Sequence, residues 1–538
     1  MTEFQFNCIY LNVNHDSIEI MDQSLISEDD DCKDIKCPSC ADETKEGKSQ
    51  ISRIYYGTRT HKQISQVVRE FTKTEYRKLP MSILSSRERT CVHPEVSRCS
   101  NKNDRCNDMI KRRINQETKK REEKCAFYDK DSIDSNYYSF RMSGEPWDLD
   151  DLVDYGKSCG SCPYFGTKYL HRTSRIVFCP YNYLIDPIVR RSMDIKVENS
   201  IIILDEAHNI EDICRNAASL TVTLDQIEDI RKHFDDALTN YASIISISVM
   251  DALNKYNRMI RDLAEWIFRY GRNIESDFDG VSSFGQKRKE ISSREFVQVL
   301  SNIGISSQTF KEYENLLKQF DDDNDKETVL DEFKFNTNLV GHLAAIINTI
   351  GYLFINNMKY LDDYKVVIEK RSGPSAHYKM KPKFGKKNTA TQRFSEVNEM
   401  FDEKHHYVFN LWCFNPGVAF NEIKKAAHCV IVASGTLSPL DSFQSELGIH
   451  FKHIVEASHV IKPSQIWTGI VTHGPSRIEL NSTYNNVENI RYQDEVGRIL
   501  LDIIQTVPNG VLVFFPSYSL MNKLYKRWEN TGLINRMK

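Results

Sequence analysis

Hydrophobic and polar residues change their period several times along the chain, and the changes mark its elements. Ile54-Tyr55-Tyr56 is a short β-type run, and Gly57-Thr58-Arg59-Thr60 follows as a turn. From His61 to Phe71 the apolar residues Ile64, Val67, Val68 and Phe71 recur at helical spacing, which predicts a strand–turn–helix unit. A second unit runs through Ile176-Val177-Phe178, a loop over 179–183, and Ile201-Ile202-Ile203-Leu204. Four adjacent aliphatic residues predict a strand buried on both faces, as parallel sheets require. A helix starting at Asp205 and carrying Ala207, Ile210, Ile213 and Cys214 is expected next. From about 222 to 400 the pattern is helical, with long segments at 316–330 and 339–360. Strand signals return at 407–411, 429–432, 465–471 and 511–515.

These elements predict an α/β fold. A parallel-sheet domain is assembled from 51–84, 166–221 and 405–450, interrupted by insertions at 85–165 and 222–404. The start of a second α/β domain occupies 451–538. Residues 1–50, with an acidic run at 28–31 and few apolar clusters, read as a poorly ordered polar lead-in. No run reaches the roughly 18 apolar residues of a transmembrane helix. The richest stretch, 343–355, is broken by Asn348, Thr349 and Gly351 and reads as a buried helix.

Composition changes this picture at two points. Lys plus Arg (71) against Asp plus Glu (75) leaves a net charge of −4, so any polyanion site must be a local basic surface. The N-terminus lacks the basic start and apolar core of a signal peptide, which predicts an intracellular protein with reduced thiols. Yet eleven of the 14 cysteines lie between Cys8 and Cys179, and six fall in 85–165, where apolar periodicity is weak. Thiols clustered in a segment without an evident core predict metal ligation rather than disulfides. Cys159 with Cys162 is a CxxC pair, which keeps a zinc site open. Cys37-Pro38-Ser39-Cys40 is another, with Cys8 and Cys32 as available partners.

The sharpest chemistry is Asp205-Glu206-Ala207-His208 at the end of the predicted buried strand. Open parallel sheets bind ligands beyond the carboxyl ends of their strands. Two adjacent acids there suit hydrolysis of a nucleoside triphosphate. Asp205 can hold Mg²⁺ through its water shell, and Glu206 can orient and deprotonate the attacking water. The competing reading is an acidic cap on the helix that follows.

Residues 201–209 resemble motif II of superfamily 2 helicases of the DEAH type. Tyr56-Gly57-Thr58-Arg59-Thr60-His61 resembles motif Ia, Ser434-Gly435-Thr436-Leu437-Ser438-Pro439 resembles motif III, and 510–518 resembles motif IV. A cysteine insertion between Ia and II and a helical one between II and III are similar to the layout of XPD-like iron–sulfur DNA helicases. Around 90–95, 179–184 and 493–497 the sequence is most similar to the Fanconi anaemia group J type. The resemblance covers about residues 52–538. It implies a RecA-like motor domain, an iron–sulfur domain at 85–165, a helical arch at 222–404 and the start of a second RecA-like domain. It further implies an ATP-dependent 5′→3′ DNA helicase of interstrand-crosslink repair, nuclear, using ATP and Mg²⁺. Its partners are then single-stranded DNA, duplex junctions and repair proteins, with no membrane.

By the same resemblance Asp205, Glu206 and His208 are the catalytic candidates, and Ser434, Gly435 and Thr436 are the coupling residues. Thr58, Arg59, Thr60 and Lys62 sit where motif Ia meets backbone phosphates, a contact that reads no sequence. Cys91, Cys106, Cys125 and Cys162 are the implied ligands of a 4Fe–4S cluster, with Cys99 and Cys159 as spares. Their separations of 15, 19 and 37 residues are too wide for a compact zinc knuckle. The basic residues Lys111, Arg112, Arg113, Lys119, Lys120 and Arg121 read equally as a DNA track, a solvated face or a nuclear import signal. Residues 379–387, with Tyr378 and Phe384 interleaved, suit either single-strand binding or a solvated linker. Asp321, Asp323, Asp325 and Glu332 fall at calcium-loop positions, but Lys326 stands where that loop needs glycine.

A triphosphatase also needs a Gly-x-x-x-x-Gly-Lys-Ser/Thr loop. Gly47-Lys48-Ser49 and Gly156-Lys157-Ser158 fail it, because Asp42 and Asp151 stand at the first glycine position. Nothing after motif IV matches the later motifs or their arginine. The expectation is a helicase truncated at both ends and inactive alone. The alternatives are an iron–sulfur DNA-binding protein without hydrolysis, and a zinc-stabilised nucleic-acid-binding protein with an incidental DEAH.

Overall fold

The computed structural model describes residues 8–13, 53–110, 124–240, 247–272, 287–321, 337–370, 407–437, 439–456, 462–483 and 485–537. In chain order the strands are β1 (Cys8–Val13), β2 (Ile54–Thr58), β3 (Met81–Ile83), β4 (Ile176–Pro180), β5 (Ile201–Asp205) and β6 (Leu220–Thr223). They continue with β7 (Lys287–Ser292), β8 (Tyr364–Lys370), β9 (Tyr407–Cys413), β10 (Cys429–Ala433) and β11 (His453–Glu456). The chain divides into two compact units, Met1–Ser458 and His459–Lys538.

In the first unit seven strands form one sheet in the order β11-β1-β10-β5-β2-β4-β3. All neighbours from β10 to β3 are parallel. Tyr55, Val177, Ile202 and Leu204 are fully buried at its centre. The helix His61–Phe71 forms as predicted and buries Ile64, Val68 and Phe71, with Thr60 and Gln63 closing its start as a reciprocal capping box. Strand β5 departs from expectation, since Ile201, Ile203 and Asp205 are only partly buried and one face is open. Asp205 is the last residue of the strand, not the first of a helix. Glu206 turns in the left-handed region (φ 55°), Ala207–Asn209 is a 3₁₀ turn, and the helix is Ile210–Ala217.

Strand β1 lies within 1–50, which reads in sequence as a poorly ordered polar lead-in, and is ordered against the sheet. It pairs antiparallel with both β10 and β11. Buried backbone amides and carbonyls must be paired, and β10, with Cys429, Val430, Val432 and Ala433 buried, presents an edge that β1 satisfies.

Between β5 and β10 the chain builds a second sheet, β6-β9-β8-β7, antiparallel throughout. Helices Leu224–Asn240, Ile247–Arg272, Ser293–Asn302, Phe310–Asp321 and Thr337–Phe354 accompany it. The sequence pattern shows the helices but not this sheet, and it places 407–411 in the motor sheet. Strand β9 pairs with β6 and β8 instead, and Phe409 packs 5.5 Å from Phe296 and 6.3 Å from Trp266. The helix Thr337–Phe354 buries Leu343, Ile346, Ile347, Ile350 and Leu353, as expected of 343–355. No helix among the described residues is long and apolar enough to cross a membrane.

The cysteine insertion holds more core than its sequence suggests. Helices Lys130–Arg141, Leu149–Cys159 and Pro163–Thr173 bury Ile133, Tyr137, Leu152 and Leu170 in continuity with the main core. A small separate cluster, Val96, Cys106, Met109 and Cys125, gathers the described residues of 91–128. Its helix Lys102–Ile110 touches Thr337–Phe354, so the two insertions meet.

The second unit packs Ile490–Thr506, Tyr518–Asn530 and Leu533–Met537 around Leu501, Leu524, Trp528 and Leu533. Arg527 forks onto Asp494 with two bonds of 2.8 Å, and the Trp528 indole donates to the Gln493 carbonyl at 2.8 Å. The strands predicted at 465–471 and 511–515 do not form. Trp467, Ile470, Leu512 and Phe514 are exposed there, and no neighbouring strand among the described residues pairs with them. A strand buried on both faces exists only between neighbours.

Candidate active site and metal centre

The carboxyl end of β5 gathers the acidic site. The Glu206 N–H donates to Asp205 Oδ1 at 2.9 Å, and the Tyr181 hydroxyl donates to the Asp205 carbonyl. Tyr56 pairs across to Ile203, so its side chain and that of Asp205 share one sheet face, and its phenol lies against the carboxylate. Burial raises the Asp205 pKa, opposed by the Glu206 N–H bond and reinforced by the Glu206 charge. The capping reading fails on geometry. Glu206 makes no side-chain cap bond, and the following helix has its own first-turn acids, Glu211 and Asp212.

Across the neighbouring strand the turn after β10 meets these acids. Ser434 Oγ lies 2.9 Å from His208 Nδ1 and donates to Glu206 Oε2 at 3.3 Å, while His208 Nδ1 is 3.2 Å from the same carboxylate oxygen. The Thr436 N–H donates to Ser434 Oγ at 3.3 Å, so Gly435 and Thr436 form the turn that holds the serine. Residues 226 positions apart in sequence thus share one hydrogen-bonded triangle. Ser438 lies outside the described residues.

The four motif Ia candidates separate. Thr58 is 1% exposed and its hydroxyl donates to the Thr60 carbonyl at 3.0 Å, so it shapes the turn and is closed to phosphate. This corrects its assignment as a nucleic-acid contact. Thr60 is exposed but engaged in the cap, its Oγ1 accepting from the Gln63 N–H at 3.3 Å. Arg59 and Lys62 are exposed side chains. His61 beside them is held neutral, with a pKa lowered to about 4 by burial and then by Arg89.

The four predicted sulfur ligands approach one another. Cys91 caps the helix Arg87–Thr90, Cys106 lies on Lys102–Ile110, and Cys162 caps Pro163–Thr173. Cys91, Cys106 and Cys125 share the small cluster with Val96, Met109, Phe127 and Tyr128. Cys162 is buried, and burial chiefly, with Cys106 and Cys125 nearby, pushes its thiol up to about 12. The spares point elsewhere: Cys99 donates to the Glu95 carbonyl and Cys159 to the Gly156 carbonyl. No three ligating side chains among the described residues stand at metal-holding distance. By donor type alone, these four thiols are what a sulfur-ligated cluster takes.

Three residues that carry these sites went unassigned in the sequence. Tyr56 and Tyr181 hold Asp205, and the position of Tyr181 just past the end of β4 is a signal that could have found it. Arg87 stacks 4.0 Å over the Tyr164 ring and donates to Asn103 and Asn107 at 3.3 Å, joining the helices that bear Cys106 and Cys162. Gly156-Lys157-Ser158 lies in a helix, where a Cβ on Gly156 would stand 2.5 Å from Pro163 and 2.8 Å from the Tyr137 hydroxyl. Its glycine serves packing. Residues 14–52, 111–123, 322–336 and 371–406 lie outside the described residues, and with them the other Gly-Lys-Ser, the CxxC at Cys37, both basic runs and most of the calcium-like loop.

Residues 56–227 match the DEAD_2 family. The chain is 34% identical over 505 residues to the Fanconi anemia group J protein homolog of Gallus gallus, covering 90% of this chain and 38% of that protein. The chain is thus similar to helicases of the DEAD_2 family. Within this family, regulator of telomere elongation helicase 1 homologs of Drosophila virilis and Aedes aegypti are 29% and 31% identical, each covering 90% of this chain and 47% of theirs. The chain therefore spans between about two fifths and one half of these curated relatives. A solved XPD helicase aligns with 88% of the chain and 66% of its own at 15% identity and a TM-score of 0.37.

Proposed function

We propose that this chain is the motor portion of an ATP-dependent DNA helicase of the XPD-like family that acts in DNA repair. The observation that carries the reading is the meeting of Asp205, Glu206, His208 and Ser434 at the carboxyl ends of β5 and β10, with exposed Arg59 beyond β2. Bound Mg²⁺ supplies the charge that offsets the phosphate oxygens, and Asp205 is the residue that would hold it. Glu206 accepts the proton of the attacking water, and the His208–Ser434 bond fixes its carboxylate for that task. Arg59 and Lys62 contact backbone phosphates without reading bases. Cys91, Cys106, Cys125 and Cys162 would hold a 4Fe–4S cluster, which supplies a covalent brace where the local core is small. The proposal extends to 5′→3′ polarity, work on interstrand crosslinks and a nuclear location.

The sequence holds no Gly-x-x-x-x-Gly-Lys-Ser/Thr match, and the chain by itself is expected to bind single-stranded DNA without turnover. An ATPase assay with and without single-stranded DNA, run beside DNA-binding anisotropy, tests this. Binding with no hydrolysis is expected. Turnover abolished by Glu206→Gln overturns the inactivity, and absence of DNA binding overturns the helicase reading.

A further inference from the structure

We infer that Tyr181 is a positioning residue that links nucleic-acid contact at Arg59 to the acid Asp205, a role that rests on the function proposed above. Thr58 pairs with Pro180 across β2 and β4, so Arg59 and Tyr181 leave adjacent strand ends side by side. Tyr181 is 1% exposed, opens the helix Tyr181–Ile185, and donates its hydroxyl to the Asp205 carbonyl. One side chain therefore stands between the exposed cation that meets the strand and the backbone of the acid that meets the metal. Burial first, then the charges of Asp205 and Glu206, raise the pKa of this phenol, with the Arg59 charge opposing them.

A purely structural role would also account for the hydroxyl, since a buried carbonyl requires a donor. The two roles differ in what removing the hydroxyl changes. Coupling makes DNA affinity depend on Mg²⁺ at Asp205, and linkage makes that dependence reciprocal. Tyr56 supplies the comparison. Its phenol touches the same acid, and its charged neighbours are Asp205 and Glu206 rather than Arg59.

The test measures the affinity of the full chain for a labelled single-stranded oligonucleotide by anisotropy. It is run with Mg²⁺ and with a chelator at matched ionic strength, and Asp205→Asn supplies the background of Mg²⁺ acting on DNA itself. In the wild type, the Asp205-dependent part of the Mg²⁺ effect is expected to be about fivefold or more. In Tyr181→Phe that part disappears, while affinity in chelator and the melting temperature stay at wild-type values. Tyr56→Phe keeps the effect at saturating Mg²⁺. Should Tyr181→Phe melt early, Arg59→Gln breaks the link from the exposed end, and its residual binding loses Mg²⁺ dependence. A Tyr181→Phe protein that keeps the full effect, or a wild type with no Asp205-dependent effect, overturns the coupling. A wild type that binds no DNA overturns instead the functional reading on which it rests.

Discussion

Thr58 and Arg59 leave β2 as neighbours, yet their side chains face opposite surroundings. The hydroxyl of Thr58 is spent on the Thr60 carbonyl, whereas the Arg59 side chain is exposed. Arg59→Ala and Lys62→Ala should each lower the slope of log affinity against log salt by about 0.7, the contribution of one phosphate contact on a single strand. Thr58→Val should leave that slope unchanged, and anisotropy titrations at several salt concentrations read all three. The sequence showed which residue types could meet a phosphate. It could not show which way they faced, because a turn between a strand and a helix has no period from which burial can be read. The same limit hid Tyr181, whose partner is a backbone carbonyl 24 residues away. Asp205 and Glu206 were legible because acids that end a buried aliphatic strand stand where an open parallel sheet binds its ligand, whereas His208 and Ser434 came from the family resemblance.

At the scale of elements, the helix Pro163–Thr173 carries Cys162 at one end and a buried histidine at the other. His171 is 2% exposed, with Nε2 2.9 Å from Arg53 Nη1 and 3.4 Å from the Tyr55 hydroxyl. Burial first, then the charges of Arg53, Arg172 and Lys168, lower its pKa to about 3. The unfolded chain, with a histidine pKa near about 6.5, binds the proton first. The stability contributed by the neutral ring is therefore complete above that value, falls as pH drops below it, and levels off near the folded pKa. Urea unfolding should show a loss of about 2 kcal/mol between neutral pH and about pH 5 from this group, and His171→Gln should flatten that slope. Elements were legible wherever one period held for a full helix or buried strand, as in His61–Phe71 and Thr337–Phe354. They were not legible in β7 and β8, where Lys287, Arg288, Lys289, Lys365 and Lys370 interrupt the apolar alternation. Such strands exist because neighbours pair with them, and the β7–β8 pairs, 73 to 83 residues apart by subtraction, leave no local mark.

Across the whole molecule, the cysteine insertion is anchored unequally. Its helices from Lys130 to Thr173 share the main core, whereas the described residues of 91–128 centre on the cluster of Val96, Cys106, Met109 and Cys125, with Phe127 and Tyr128 reaching both. Four side chains offset little of the backbone entropy, roughly 1–2 kcal/mol per residue, and the proposed iron–sulfur cluster would add bonds that hold this part in place. Removing iron with a chelator should therefore open 91–128 to proteases while the parallel sheet and the second unit stay intact. Mass spectrometry of the first cleavage products, with circular dichroism of the remainder, reads this outcome. Cys106→Ser or Cys125→Ser should give the same cleavage pattern and lose iron, whereas Cys99→Ser should retain it, because its thiol already serves the Glu95 carbonyl at the surface. Cleavage beginning in the main sheet, or loss of all helical signal together with iron, would show instead that the cluster supports the whole first unit.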